Sequence, residues 1–217
     1  RALRDSIVKI GQEFGRNIRS DKRTVTANGA TDLEGLPADY VERHKPGSDG
    51  GITLTIDYPD ALPVFLYAKH EDLRRRMYTE YNNRAFPKNL ETLTRMIERR
   101  DELARLLGFP NYAACVTADK MVGSEKNAAA FIDQIVAASG PRAENEYAVL
   151  LRRKQQDVPS ATAVNAWESA YYQELVKRSD YDFDAQSVRP YFPYERVKQG
   201  VLDVTSRLFG VTFRRVK

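Results

Sequence analysis

Apolar residues recur every three to four positions along most of this sequence, and no other feature constrains its fold as strongly. The first run consists of Leu3, Ile7, Ile10, Phe14 and Ile18. This spacing is typical of an amphipathic helix and predicts one over residues 2–20. Similar spacing continues almost to the end of the sequence after residue 60. The pattern therefore predicts a mainly α chain, folded as an array of several helices.

Capping residues and helix breakers divide the pattern into segments. Asn89 and Ser124 are predicted N-caps, and Gly108 is predicted just past the end of the helix that Asn89 begins. Gly140-Pro141 is predicted to end the helix that begins at Ser124, which leaves residues 142–156 as a separate charged helix. Short helices are predicted to start at Pro37 and at Pro110, and residues 63–68 and 71–84 are predicted to form one or two helices. Two more helices are predicted over residues 167–178 and 193–209, the last of them ended by Gly210.

Two short β-branched segments interrupt the helical pattern. Residues 24–29 are predicted to form a strand and turn, and residues 52–56 a second strand that pairs with residues 24–27. A two-stranded ribbon is marginal alone and needs helices packed on it. Residues 211–216 also alternate and predict a strand. The predicted architecture is a multi-helix array with a small β-ribbon, in one helical domain of residues 1–217 with a possible sub-boundary near residues 85–89.

Composition and charge exclude several protein classes. Hydrophobic residues make up 42% and charged residues 29% of the 217 residues, which excludes collagen, a coiled-coil rod and a disordered tail. No stretch approaches 18 uninterrupted apolar residues, so the sequence predicts no membrane span. The single cysteine, Cys115, excludes a disulfide framework and fits a reducing, cytoplasmic compartment.

The net charge of +4 and the isoelectric point near 9.1 raise the possibility of a nucleic-acid partner. The basic clusters lie at residues 74–76, 99–100 and 152–154, each on a predicted helix with acidic neighbours. A nucleic-acid interface needs a one-signed stripe with stacking aromatic residues. Interleaved charge is typical of solvated helix faces, so no nucleic-acid partner is predicted.

The motifs give no complete catalytic constellation. The only histidines, His44 and His70, form no H-E-x-x-H or E-x-x-H pair, so we assign no metal ligand and no catalytic residue. Residues 180–184 (D-Y-D-F-D) resemble half of a calcium loop, but positions 6 and 12 hold Ala185 and Tyr191 rather than glycine and glutamate. Asp184 is therefore predicted to cap a helical turn. Ser48 lies outside a nucleophile elbow, and Cys115 is predicted to be a small buried hydrophobic residue.

A set of motifs near the C-terminal end resembles a known family. They are W-E-S-A-Y-Y at residues 167–172, Y-D-F-D at 181–184, R-P-Y-F-P at 189–193 and L-F-G-V-T-F at 208–213. Their order and spacing are similar to those of the thimet oligopeptidase family of zinc peptidases. Segments closer to the N-terminus, such as L-L-G-F-P-N-Y-A at residues 106–113, are also similar, so the resemblance covers essentially the whole chain.

The resemblance implies a helical peptidase with two halves around a channel that admits short, unfolded peptides. The family's H-E-F-G-H helix, its third zinc ligand and its substrate-gripping residues lie C-terminal to the L-F-G-V-x-F segment, beyond Lys217. The sequence begins with Arg1 and ends within a strand-like run. We therefore expect a non-catalytic fragment of a zinc-dependent oligopeptidase that binds no zinc itself, is inactive alone and contributes one wall of the channel.

Arg189 and Tyr191 are the candidate residues for facing that channel. They lie in an irregular stretch between two predicted helices, where an arginine could orient a peptide backbone or carboxylate by a charge-assisted hydrogen bond. Alternatively, Arg189 pairs with Asp182 or Asp184 and only fixes the turn. Both interpretations stay open at this point.

Other hypotheses remain besides the oligopeptidase fragment. The chain could be a stand-alone helical module that binds a protein or peptide without catalysis, and the length of the reading frame separates these two alternatives. If the chain is a fragment, surfaces that faced the missing part should expose apolar side chains, and self-association through them is expected.

Overall fold

Helices dominate the computed structural model, which describes residues 1–184 and 186–215. The helices are α1 Ala2–Ser20, α2 Ala38–Arg43, α3 Tyr58–Tyr67, α4 Glu71–Asn82, α5 Lys88–Leu106, α6 Tyr112–Thr117, α7 Glu125–Asp157, α8 Ser169–Tyr181 and α9 Tyr194–Phe209. Within the described residues, none of them is both long enough and apolar enough to cross a membrane. The predicted class, mainly α with a small ribbon, is confirmed.

The ribbon has the predicted pairing. Strand β1 (Thr24–Ala27) runs antiparallel to strand β2 (Ile52–Thr55), with Val25 opposite Leu54. Val25 and Ala27 are buried, whereas Thr24 and Thr26, which alternate with them, are exposed. Successive side chains of a strand point to opposite faces, so one face of the ribbon packs on the core and the other faces solvent.

The main core lies between this ribbon and helices α3 and α4. Leu54, Val64, Leu73 and Met77 are fully buried there. The loop before α2 closes tightly over the end of α3 at Gly35, whose φ is +91°. A Cβ atom at Gly35 would lie 2.3 Å from the Tyr67 carbonyl oxygen, so only glycine fits this approach.

Helix α1 packs along α5 through a buried pair of amides. Asn17 Nδ2 donates to Asn89 Oδ1 at 2.8 Å, and Asn89 Nδ2 donates to the Phe14 carbonyl at 3.1 Å. The prediction that Asn89 caps α5 was wrong, because the helix already begins at Lys88. The amide bonds across to the neighbouring helix, and Asn89 is buried in that contact.

Other predicted helix ends are confirmed. Ser124 Oγ accepts the Asn127 N–H at 3.1 Å at the start of α7. Gly108 and Gly210 have φ values of +81° and +65°, as residues that follow helix ends commonly do. The predicted helix at Pro110 begins two residues later, with Asn111 as its N-cap.

The predicted break at Gly140-Pro141 was wrong, because α7 continues through both residues to Asp157. Proline has a φ compatible with a helix, and its cost comes from the lost N–H and from crowding of the carbonyl four residues earlier. That carbonyl belongs to Ala137, which is exposed, so water can satisfy it. Residues 142–156 are therefore the second half of one helix.

The strand predicted at residues 211–216 was also wrong for residues 211–215, the part of it that the structure describes. Residues 211–215 form no regular element, and Val216 lies outside the described residues. A strand needs a partner to form a hydrogen-bonded ladder, and alternation in the sequence does not supply one.

The chain divides into two compact units, Arg1–Glu174 and Leu175–Lys217, and each is described by itself. The first contains the ribbon and the core, and the second contains the Arg189 turn and α9. The sub-boundary predicted near residues 85–89 stays a prediction.

Candidate functional site

The predicted channel residues lie in the second unit, on a short 3₁₀ turn at Arg189–Tyr191. The Tyr191 N–H donates to the Val188 carbonyl at 3.1 Å, and the Phe192 N–H donates to the Arg189 carbonyl at 3.0 Å. Just upstream, Asp184 Oδ1 accepts the Gln186 N–H at 2.9 Å, so Asp184 caps a turn as predicted. These bonds fix the backbone on which both candidate side chains are carried.

Aromatic side chains project from this turn into solvent. Tyr191 is 72% exposed and Phe192 is 67% exposed, and Tyr194 at the start of α9 is similarly exposed. The Lys198 ammonium lies 5.4 Å from the centre of the Tyr194 ring. Exposed aromatic rings supply large contact area with few rotatable bonds, so this surface is suited to contact another chain.

Arg189 has a defined local contact. Its Nη1 donates to Gln186 Oε1 at 3.0 Å. The Asp184 carboxylate lies 3.5 Å from the Arg178 guanidinium. The two interpretations of Arg189, orientation of a peptide or fixing of the turn, both stay predictions.

Neither histidine lies in a metal-binding arrangement. His44 Nδ1 lies 2.8 Å from the Tyr40 carbonyl oxygen and Nε2 lies 3.1 Å from Asp60 Oδ1, so both ring nitrogens have protein partners. His70 is the N-cap residue of α4. Across residues 1–184 and 186–215, no three His, Cys, Asp or Glu side chains come together in a way that could hold a metal ion. The residues present do not fit a zinc site.

Cys115 is half-buried rather than buried, which corrects the prediction. It lines an open groove of about 340 Å³ between α1, α5 and α6, beside Ile7, Val8, Leu103 and Val116. No short contact to the thiol distinguishes it as a nucleophile among the described residues.

A buried ion pair that sequence reasoning missed fixes the W-E-S-A-Y-Y motif. Lys154 Nζ lies 2.6 Å from Glu168 Oε2, and these residues are only 7% and 0% exposed. The ammonium also donates to the Ala163 carbonyl at 2.9 Å, and the same carboxylate oxygen accepts the Asn165 N–H at 2.8 Å. This network closes the loop between α7 and α8.

Arg74 forms a second buried anchor for the same motif. It is 2% exposed, and its Nη1 donates to the carbonyls of Ala68 and Lys69 at 2.6 and 2.9 Å. The guanidinium lies 4.2 Å from the centre of the Tyr171 ring, a cation–π distance. Burial lowers the pKa of Arg74 from its ordinary value.

The other aromatic residues of the motif complete this contact between α4 and α8. Trp167 Nε1 donates to Glu71 Oε1 at 3.1 Å. Tyr172 is buried, and burial, followed by the nearby Asp157 and Glu168 carboxylates, raises the pKa of Tyr172 to about 12. The motif thus fixes the first turn of α8, within the first unit, to the core, and the described contacts give the motif a structural role.

The basic clusters are largely neutralised by carboxylates. Arg75 and Arg76 both pair with Asp72 at 2.7 Å. Arg99 pairs with Glu102 at 2.5 Å. Together with the burial of Arg74, this pairing lowers the positive charge that the clusters at residues 74–76 and 99–100 would offer to a phosphate backbone.

Comparison with known proteins identifies the family. A family model described as Peptidase family M3 matches residues 64–217. Oligopeptidase A of Escherichia coli is 28% identical over 96% of this chain, which covers 33% of that protein. Oligopeptidase PhomG of Diaporthe leptostromiformis is 30% identical over 94% of the chain, which covers 29% of that protein.

The match extends to other peptidases with the same partial coverage. Mitochondrial intermediate peptidase of Coccidioides immitis is 28% identical over 97% of this chain, which covers 26% of that protein. The chain therefore spans a third or less of the length of these three curated relatives. The resemblance found in the sequence motifs is confirmed. The chain belongs to peptidase family M3.

Proposed function

We propose that this chain is the non-catalytic, channel-wall portion of a zinc-dependent oligopeptidase that hydrolyses short peptides. The observation that carries the proposal is the family match over residues 64–217, in a sequence that contains no H-E-x-x-H pair. A zinc peptidase needs ligands for the ion and a general base beside its bound water. In this proposal those groups come from residues outside this sequence.

Arg189 and Tyr191 are the residues that we place against the peptide. The arginine guanidinium can donate charge-assisted hydrogen bonds to a peptide carbonyl or carboxylate, while the exposed tyrosine ring packs beside the peptide. Both stand on a hydrogen-bonded turn, which limits the entropy that is lost when they bind. Their role is to position the peptide.

Activity and metal content of the 217-residue chain give the first test. We expect no hydrolysis of a quenched fluorescent peptide, with or without added zinc, and no stoichiometric zinc by elemental analysis. The second readout is the reading frame beyond codon 217, which we expect to encode an H-E-x-x-H pair. Turnover by the chain alone, or a stop codon directly after Lys217, would overturn the proposal.

The role of Arg189 needs the protein that the complete reading frame encodes. We expect Arg189→Ala to raise KM and lower kcat/KM by roughly tenfold or more, since a hydrogen bond to a charged group is lost. Arg196→Ala, an exposed arginine on α9 of the same unit, is the matched control. Equal kinetics for the two variants would remove Arg189 from the channel and favour its role in fixing the turn.

Self-association of the isolated chain belongs to the same proposal. The second unit carries an exposed apolar stripe on α9, formed by Val197, Val201, Val204 and Leu208. Surfaces of this kind associate when they lack their covering partner. We expect the mass measured by light scattering to rise with concentration and Val201→Glu to suppress that rise. A monomer at every concentration would contradict this part.

A further inference from the structure

Strand β1 has one edge paired with β2 and a second edge that faces a groove. The Ile56 N–H donates to the Arg23 carbonyl at 3.3 Å, so residue 23 directs its backbone carbonyl toward β2. Backbone groups alternate along a strand, so those of Thr24 and Thr26 point away from β2. A separate contact agrees, since Arg76 Nη1 donates to the outward Thr26 carbonyl at 2.6 Å.

The outer edge of β2 differs from that of β1. The outward N–H of Thr55 donates to Asp60 Oδ2 at 3.1 Å, so the carboxylate already occupies this position. Asp60 also accepts the Thr55 hydroxyl at 2.7 Å. A strand that adds to this ribbon would therefore meet a competing carboxylate on β2 and a groove on β1.

The groove beside β1 is a defined space with two walls. Residues 24–26 of β1 form one wall, and residues 75, 76, 79 and 80 of α4 form the other. Its volume is about 340 Å³, at the lower end of the range for ligand pockets. At a rise of about 3.3 Å per residue, a segment of about three or four residues would run the length of β1.

The charges on the α4 wall are already compensated. Arg75 and Arg76 pair with Asp72 at 2.7 Å, and Glu80 pairs with Arg23 at 3.1 Å. A charged ligand would have to compete with these pairs. The ligand that suits this groove electrostatically is therefore a peptide segment that presents backbone hydrogen-bonding groups and uncharged side chains.

We propose that the β1 edge binds a short, extended peptide with uncharged side chains as a third strand of the ribbon. The Thr24 and Thr26 N–H groups donate to peptide carbonyls, and the Thr24 carbonyl accepts a peptide N–H. The Thr26 carbonyl oxygen has a second lone pair beside the one that Arg76 uses. Strand addition of this kind draws its affinity from main-chain hydrogen bonds.

A free peptide fits this edge better than a second folded copy does. Helix α4 stands beside β1, close enough for Arg76 to reach the Thr26 carbonyl. A second copy would bring its own α4 on the same edge, and both helices would need the space between the two strands. A single extended segment needs only the groove.

This proposal is independent of the channel-wall function. Its residues belong to β1 and α4 in the first unit, whereas Arg189 and Tyr191 lie in the second. Loss of one proposal leaves the other intact.

The test uses the isotope-labelled 217-residue chain and the blocked tetrapeptide acetyl-Val-Thr-Val-Thr-amide. We expect the amide signals of Thr24 and Thr26 to shift and saturate below about 10 mM peptide, a weak affinity suited to few hydrogen bonds. Two further peptides carry N-methyl groups on residues 1 and 3 or on residues 2 and 4. Because alternate amides face the protein, one analogue should bind roughly tenfold weaker and the other should bind normally.

Two protein variants complete the test. Thr26→Pro removes an outward N–H without removing a ladder bond, and Thr53→Pro is the matched change on β2, opposite Thr26. We expect only Thr26→Pro to abolish the shifts, with far-UV circular dichroism reporting the fold of both variants. If Thr26→Pro unfolds, the binding of the two methylated peptides to the native protein tests the proposal in its place. Equal binding of both methylated peptides, absence of any shift, or shifts that follow protein concentration without peptide would overturn the proposal.

Discussion

Helix α4 beside the ribbon and helix α9 both carry apolar residues at helical spacing, and the two faces reach opposite outcomes. Leu73 and Met77 of α4 are fully buried, in the same core cluster as Leu54 of β2. On α9, Val201, Val204 and Leu208 recur at helical spacing and remain exposed. The periodicity of a sequence thus predicts which face of a helix is apolar, and a partner element decides whether that face is buried.

Helix α7 shows the same contrast within one element. Its C-terminal half carries Lys154, which is buried against the α7–α8 loop. Its N-terminal half exposes Phe131, Ile132, Ile135 and Val136. A helix of this length can therefore be fixed at one end while the other end presents an apolar surface.

Breaking the buried ion pair should have the largest effect on stability. Lys154→Met leaves the Glu168 carboxylate buried without its cation, and we expect this to lower the free energy of unfolding by about 3–5 kcal/mol in urea denaturation. Lys126→Met, an exposed lysine in the N-terminal half of α7, should change it by less than about 0.5 kcal/mol.

A double variant separates the charge from the packing. Lys154→Met with Glu168→Leu removes both charges and should recover much of the loss, because no unpaired carboxylate remains. Equal stability of the single and double variants would show that burial of the Glu168 charge does not determine the effect.

A matched pair of leucines tests the comparison of core and α9 directly. Leu73 is 0% exposed in the core and Leu208 is 72% exposed on α9. Leu73→Ala should lower the free energy of unfolding by about 2–5 kcal/mol through lost burial and a cavity. Leu208→Ala should change it by less than about 0.5 kcal/mol. A large loss for Leu208→Ala would mean that α9 is covered in solution.

The α1–α5 contact should show an intermediate effect. Asn89→Ala leaves the buried Asn17 amide without its partner, so we expect a loss of about 1–3 kcal/mol in the free energy of unfolding. The control is Asn82→Ala, because Asn82 is exposed and donates to the Tyr78 carbonyl of its own helix at 2.8 Å. A negligible change for Asn89→Ala would show that α1 docks on α5 by apolar packing alone.

Much of the fold could be predicted because the deciding signals are local. The 3.6-residue spacing located α1 within residues 2–20, and alternation located both strands of the ribbon. Ser124 and Gly210 act within one helical turn, so their capping roles follow from the residue types and their positions. The family resemblance depended on motif order, which is also readable along the chain.

What the sequence could not supply is the choice among possible partners. Asn89 can cap a helix or bond to another one, and only the neighbouring α1 decides between these contacts. Arg74 stands in a run of three arginines, yet it alone is buried, because its side chain points at Tyr171 and the end of α3. For the buried ion pair, the sequence offered only that Lys154 and Glu168 lie on either side of the loop between α7 and α8. That spacing of a lysine and a glutamate is common, so it does not single out this pair.

Acid should weaken the first unit through its paired carboxylates, and Asp21 offers the clearest single-residue test. Asp21 Oδ2 accepts the Ala85 N–H at 2.6 Å and Arg23 Nε at 2.9 Å. The hydrogen bond from the Ala85 backbone, followed by the one from Arg23, holds the pKa of Asp21 below its usual value. Ala85 has a φ of +61°, so the carboxylate also holds a residue in the left-handed region.

The direction of the pH effect follows from that lowered pKa. The ionised carboxylate stabilises the folded chain fully above the ordinary aspartate pKa of about 3.9, and this stabilisation is lost as pH falls through the lower folded value. The urea midpoint of the native protein should therefore fall between about pH 5 and pH 3. Asp21→Asn should start lower and fall less steeply, whereas Asp133→Asn, an exposed carboxylate on α7, should follow the native curve. Parallel curves for Asp21→Asn and the native protein would show that the Asp21–Ala85 contact contributes nothing to acid sensitivity.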